Sequence, residues 1–424
     1  MRNAVYKKTV LPSGLRVVTE DIPGVRSIAI GIWVNVGSRD ERPEENGLTH
    51  FIEHMAFKGT RKRSAARIAH ELESVGGSLN AFTSREQTCY YARILDRHLE
   101  RAIDVLADIL RNSRFDPQEL EKEKNVIIEE IKDIEDSPGD WVHDLFAENI
   151  WKDHPLGKPI IGRRERIKSF DRPKVVNYLS SKYLAEQVVV AASGNVSHSK
   201  LVALAQSKLT FPSANGVSPL SRFAPSENGG KSATSKEVSQ AHICLGVPSA
   251  SFKDRHRYAA LVLNTILGGG MSSRLFQKVR EEKALAYSIY SYHDFYEDAG
   301  IMGIYLATSP EQTAPAVELV LDELAKIKRE KLPRREFESA KEQLKGNLVL
   351  GLESTSSRMN RLGRNELVLG EYISLKQALA AIGAVKLAQV EEQARSLFSE
   401  KRLSAAFLGG LGTEILNKID WTKI

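Results

Sequence analysis

Apolar positions along this 424-residue chain repeat with two periods, and the two kinds of segment follow one another in a mixed order. Strand-like runs flank Pro12-Ser13-Gly14, a hairpin-type turn signal. Ser27 to Val36 is apolar nearly throughout and predicts a strand. Gly47 to Phe57 and Ala65 to Val75 predict helices, and Gly76-Gly77 breaks the second. Strands follow over Ser78 to Thr83 and Gln87 to Leu95. Amphipathic helices are then predicted over residues 97–112 and 117–136, the second opened by Asp116-Pro117 as cap and first helical residue. Gln187 to Ala192 predicts a further strand.

A Gly/Pro/Ser/Asn-rich stretch over residues 211–234 reads as a linker. It includes Pro212-Ser213-Ala214-Asn215-Gly216 and Ser226-Glu227-Asn228-Gly229-Gly230. The segments on either side echo each other. An apolar strand starting at Gln187 ends one half, and one starting at Arg402 ends the other, about 215 positions on. Glu119 and Glu336 open comparable long helices, offset by about 217. These offsets predict an α+β fold of two homologous α/β-sandwich halves, each a mostly antiparallel sheet covered by helices. The expected division is 1–210, a linker at 211–234, and 235–424.

Composition narrows the class. Hydrophobic residues make up 42% and charged residues 27%, which fits a folded globular protein. The net charge of +6 is mild for this length and argues no nucleic-acid partner. Arg61-Lys62-Arg63, the densest basic run, reads as a solvated loop. Only Cys89 and Cys244 are present, both in apolar runs, so buried free thiols are expected and a disulfide framework is excluded. No apolar run is long enough to predict a membrane span, and the first residues lack the apolar core of a secretory signal.

The informative chemistry is His50-Phe51-Ile52-Glu53-His54. Positions i and i+4 share a helix face, so both imidazoles can reach one ion. Zinc suits them, and Glu53 on the same side can take a proton from a metal-bound water. This is the inverted order of a zinc-peptidase motif. The flanking Phe51, Ile52, Met55 and Phe57 predict a buried helix. A third ligand is sought on the helix 117–136. Val126, Ile127 and Ile134 define an apolar stripe, and Glu130 projects beside it with Glu123 seven residues earlier. Glu130 is the preferred ligand, the alternative being a simple boundary residue. Glu123 is expected to orient a ligand from behind. Gly268-Gly269-Gly270 lacks the Gly-Lys-Ser/Thr sequel of a phosphate loop.

Together these residues resemble the pitrilysin-type inverted zincins, nearest to the mitochondrial processing peptidase branch and its bacterial single-chain relatives. The resemblance rests on Gly47 through Thr60, Gly76-Gly77-Ser78-Leu79-Asn80-Ala81-Phe82-Thr83, His154-Pro155-Leu156-Gly157, and the acidic pair Glu123 and Glu130. It runs from about residue 7 to about 410. It implies one Zn2+ per chain on His50, His54 and Glu130, with Glu53 as general base. It also implies that substrate lies along Asn80, Ala81 and Phe82, and that Arg280 and Tyr287 reach it. Tyr287 would donate to an oxyanion or a substrate carbonyl, and Arg280 would orient the peptide or the tyrosine. Where the family usually has glycine, this chain has Ala284, which is expected to stiffen the turn. Carrying His50, His54 and Glu130 into the second half lands near Leu261, Thr265 and Asn347, so no second metal site is expected.

The implied function is a zinc metalloendopeptidase that hydrolyses unfolded peptides or short protein segments inside a closed chamber, working as a homodimer. The expected location is the bacterial cytoplasm, or the mitochondrial matrix if a transit segment has been removed. Two alternatives are a processing peptidase for basic presequences and a non-catalytic core or partner subunit. Asp40, Glu41, Glu44 and Glu45 would serve the first by attracting arginine, unless they form a solvated acidic loop.

Overall fold

The apolar runs become two sheets. The computed structural model describes residues 4–213, 221–226 and 229–424. Of the expected linker, residues 214–220 and 227–228 lie outside the described residues. The first sheet contains β1 (Val5–Val10), β2 (Arg16–Asp21), β3 (Ser27–Val34), β4 (Ser78–Thr83), β5 (Thr88–Leu95) and β6 (Val188–Gly194). Their order is β1-β2-β6-β3-β5-β4, antiparallel except for the β2–β6 pair. The second contains β7 (Lys231–Ser235), β8 (Ala241–Pro248), β9 (Ser288–Phe295), β10 (Gly300–Thr308) and β11 (Ser404–Gly409). Its order is β7-β11-β8-β10-β9, with β7–β11 the parallel pair. Strand by strand, the second order repeats β2-β6-β3-β5-β4 of the first. The duplicated α+β architecture is therefore real. The central strands β3, β6 and β10 are apolar and buried along almost their whole length, as strands covered on both faces must be. Cys89 and Cys244 lie on β5 and β8 as buried free thiols.

Six helices matter below: α1 (Leu48–Ala56), α2 (Pro117–Asp136), α3 (Pro138–Ile150), α4 (Arg257–Gly268), α5 (Arg334–Gly351) and α6 (Thr355–Val368). The chain forms two compact units that are not contiguous in sequence. One holds residues up to Ile131, Pro159–Arg222 and Gly351–Ile373. The other holds Lys132–Lys158, Phe223–Leu350 and Ser374–Ile424. Two segments thus cross the division expected at residues 211–234. In the first unit α6, from late in the chain, covers β6, β3 and β2. Its fit depends on a missing side chain, because a Cβ on Gly363 would lie 2.5 Å from Trp33 Nε1. The Trp33 N–H in turn donates to Met359 Sδ at 3.2 Å. In the second unit α3 covers β11 and β8, burying Val142, Phe146 and Ile150.

Two local expectations are corrected. Val126 is 49% exposed and not part of the buried face of α2, which is Leu120, Glu123, Lys124, Ile127 and Ile131. The buried face is shifted from the expected stripe and includes Glu123, which is held inside by His54 and Lys58. The basic run is not uniformly solvated either. Arg63 is buried and bridges Glu71, Asp104 and Asp108 at 2.5–3.1 Å.

Among the described residues, no helix is long and apolar enough to cross a membrane.

Candidate metal centre

The site is built on one turn of α1. Leu48, Phe51, Ile52 and Met55 face the core, which leaves His50, Glu53 and His54 on the half-buried side. The start of this helix is fixed from outside it. The buried Glu41 carboxylate accepts from Thr49 N–H at 2.7 Å and from Gly47 N–H at 2.8 Å. These are two of the donors that a helix N-terminus leaves unpaired. Burial pushes Glu41 up to about 8, against the downward pull of those N–H groups. Gly47 has φ +93°, and a Cβ there would sit 2.7 Å from the Ile161 carbonyl oxygen, so only glycine fits.

The acidic stretch therefore matches the solvated-loop expectation only at Glu44, which stays exposed beside Arg42. Glu41 and Glu45 are buried. Glu45 pairs with Arg42 at 2.6 Å and Asp40 with Arg222 at 2.7 Å. These carboxylates stabilise loops and are not free to attract a basic substrate.

Glu130 of α2 comes to the same place. The His54 Nε2 atom lies 3.6 Å from Glu130 Oε2, and His50 Nε2 lies 3.9 Å from Glu130 Oε1. The two rings are 4.5 Å apart. One donor atom from each residue falls within 4.8 Å of the others, and no other group of three His, Cys, Asp or Glu does so among the described residues. Zinc bonds of ~2.0–2.1 Å in a tetrahedron place donor atoms roughly 3.4 Å apart. The observed spacings fit that requirement, and two imidazoles with one carboxylate leave a fourth position open.

The surroundings treat the two histidines differently. Glu123 Oε1 lies 2.8 Å from His54 Nδ1, and Lys58 lies 2.6 Å from the other Glu123 oxygen. This carboxylate fixes the His54 ring so that Nε2 faces Glu130. Burial alone would raise Glu123, but hydrogen bonds from His54 and Lys58 hold it below its usual range. Burial would lower His54, and the neighbouring carboxylates raise it overall. His50 has no such support: its Nδ1 is buried without a hydrogen-bond partner. Burial and the nearby His54 push His50 down to about 3, so its imidazole is neutral and able to ligate near pH 7.

Glu53, on the same face, accepts a 2.7 Å hydrogen bond from the Thr83 hydroxyl at the end of β4. Burial pushes Glu53 up, partly offset by the Thr83 hydrogen bond and by His54. A carboxylate shifted toward neutral pH is better matched to proton transfer. Asn80, Ala81 and Phe82 lie on β4, the last strand of its sheet. The Asn80 side chain accepts from the Ala81 N–H at 2.8 Å.

Arg280 and Tyr287 lie together in the other unit. Arg280 sits in a π-helical turn, Phe276–Glu282, between the Phe276 and Tyr287 rings at 4.6 and 4.7 Å. Tyr287 is 75% exposed. Ala284 has φ +49°, a left-handed conformation that a side chain disfavours. Gly268-Gly269-Gly270 has a packing role first, since a Cβ on Gly268 would lie 2.2 Å from Ser291 N.

Sequence reasoning missed three residues at the site: Thr83 on Glu53, Lys58 on Glu123, and Glu41 at the start of α1. The first two are contacts between distant segments, while Glu41 reaches backbone N–H groups six and eight residues on, which carry no residue signature.

Comparisons with known proteins agree with this geometry. Residues 16–164 match the profile described as Insulinase (Peptidase family M16), and residues 169–344 match Peptidase M16 inactive domain. The chain is 45% identical to a Bacillus subtilis protein named "uncharacterized zinc protease YmxG", over 93% of this chain and 96% of that one. It is 43% identical to the similarly named SCO5738 of Streptomyces coelicolor, over 96% and 90%. A crystal structure of a protease from Helicobacter pylori has the same fold, with a TM-score of 0.87, 22% identity, and coverage of 96% of this chain and 100% of that one. Duplicated sheets, an inverted His-Glu-His turn and near full-length likeness agree: this chain belongs to the insulinase-type peptidase family M16.

Proposed function

We propose that this chain is a zinc metalloendopeptidase for unfolded peptides or short protein segments, with His50, His54 and Glu130 holding the ion and Glu53 as general base. The supporting observation is the convergence of those three donor sets beside Glu53, within one unit. When bound, zinc supplies Lewis acidity and makes water easier to deprotonate. The protein's own groups do the rest. Glu53 accepts a proton from the attacking water and delivers it to the leaving amine nitrogen. Glu123 keeps the His54 ring aimed. In the second unit Arg280 holds the Tyr287 ring from one side, and the family resemblance gives this exposed hydroxyl the role of hydrogen-bond donor to a substrate carbonyl.

Strand addition to β4 supports the substrate class. Main-chain hydrogen bonds tolerate varied sequences, and only an extended segment offers a free backbone edge. This one chain carries both the histidine cluster and the Arg280–Tyr287 pair, which supports a homodimer of self-sufficient chains. The bacterial origin of the named relatives supports a bacterial cytoplasmic location.

The test is the Glu53→Gln variant on an unfolded reporter peptide. The expected outcome is unchanged zinc content with kcat lowered at least about 10³-fold. Wild-type cleavage by this variant would remove Glu53 as the base.

A further inference from the structure

The end of the edge strand β4 holds the side chain that the chemistry depends on. Asn80 opposes Tyr91, Ala81 opposes Tyr90, Phe82 opposes Cys89 and Thr83 opposes Thr88. Just beyond, the Ser84 N–H donates to the Gln87 carbonyl at 2.8 Å. Ladder bonds alternate along an antiparallel pair, so the N–H groups of Ala81 and Thr83 point to the open edge. Ala81 N–H is covered by the Asn80 side chain, a cap that an incoming peptide can displace. The Thr83 hydroxyl donates to the Glu53 carboxylate at 2.7 Å.

A strand hydroxyl thus grips a carboxylate carried by α1. A glutamate side chain has several accessible rotamers, and fixing one aims its lone pairs.

We propose that Thr83 is the positioning residue for Glu53, its hydroxyl tying the carboxylate of α1 to the strand β4. The proposal rests on the reading of Glu53 as general base. It adds a residue that acts through Glu53.

The experiment compares Thr83→Val, which removes the hydroxyl, with Thr83→Ser, which keeps it. Zinc content, kcat and KM on one unfolded peptide are measured for each. Thr83→Val should retain its zinc and lose about 10–100-fold in kcat with KM changed less than about threefold. Thr83→Ser should restore the rate. A second readout needs no activity. In metal-free protein, the Thr83 hydroxyl proton should exchange slowly with solvent, and Glu53→Ala should speed that exchange at least about tenfold. Wild-type kcat in Thr83→Val, equal impairment in Thr83→Ser, or unchanged exchange in Glu53→Ala would each overturn the proposal. A wild-type protein that cleaves nothing while Thr83 exchange still depends on Glu53 would instead sink the peptidase reading and leave the contact standing.

Discussion

The two units place a helix over an edge strand in the same topological position and do opposite things with it. In the first, α1 faces β4, and a carboxylate reaches across to a strand hydroxyl. In the second, α4 faces β9, and contact is direct. Ser291 of β9 donates its hydroxyl to the Asn264 backbone carbonyl at 2.9 Å, and Gly268 leaves no room for a side chain. Where α1 has His50 and His54, α4 has Leu261 and Thr265 at the offset of about 211. Where α2 has Glu130, α5 has Asn347 at 217. Thr265 spends its hydroxyl on the Leu261 carbonyl of its own helix. One architecture thus leaves a gap lined with ligand atoms, or closes it with glycine and backbone hydrogen bonds. A functional site here depends on what fills the space between helix and strand, beyond the fold itself.

The largest expected effect comes from giving the first unit the residues of the second. The combined replacement His50→Leu, His54→Thr and Glu130→Asn should abolish zinc binding and lower cleavage at least about 10³-fold, as read by elemental analysis and peptide assay. Circular dichroism should stay near wild type, since these side chains lie on the half-buried face. Retained zinc would mean that the ligands lie elsewhere.

The converse test opens the closed gap. Gly268→Ala forces a Cβ against the Ser291 backbone, which cannot move aside as a side chain could. Urea denaturation should show a loss of about 2–3 kcal/mol, with zinc content unaffected. Unchanged stability would show that α4 does not rest on β9 as described.

A smaller effect is expected from Glu123→Gln, which weakens the grip on His54. Zinc affinity measured by chelator competition should fall about 10–100-fold. Unchanged affinity would mean that His54 is oriented by packing alone. The smallest effect belongs to the Arg280 turn. Ala284→Gly relieves a left-handed alanine and should raise stability by about 1 kcal/mol in the same denaturation assay. A loss of stability would show that the alanine methyl packs usefully.

Much of this was legible in the sequence because the signals are local. Asp116-Pro117 starts α2 at Pro117 as expected, and β4 runs from Ser78 to Thr83 as expected. The i, i+4 spacing in α1 puts both imidazoles on one face, and the phase of α2 brings Glu130 to them even though Val126 turned out exposed. Long-range choices were not legible. An amphipathic pattern shows that α6 and α3 need a sheet to cover, but not that each joins the sheet formed by the other half of the sequence. That choice depends on shape, such as the absence of a side chain at Gly363 beside Trp33. The acidic stretch misled because Glu41 is polar in type yet buried, and its partners are N–H groups that carry no residue signature.

The central claim is that His50, His54 and Glu130 together hold one metal ion. Zinc per chain, measured by elemental analysis on purified wild-type protein and on Glu130→Gln, tests it most directly. The account predicts one zinc per wild-type chain, removable by chelator and restored by added zinc, and little or none in Glu130→Gln. Wild-type protein that binds no zinc, or a Glu130→Gln variant that holds it as tightly as wild type, would contradict it.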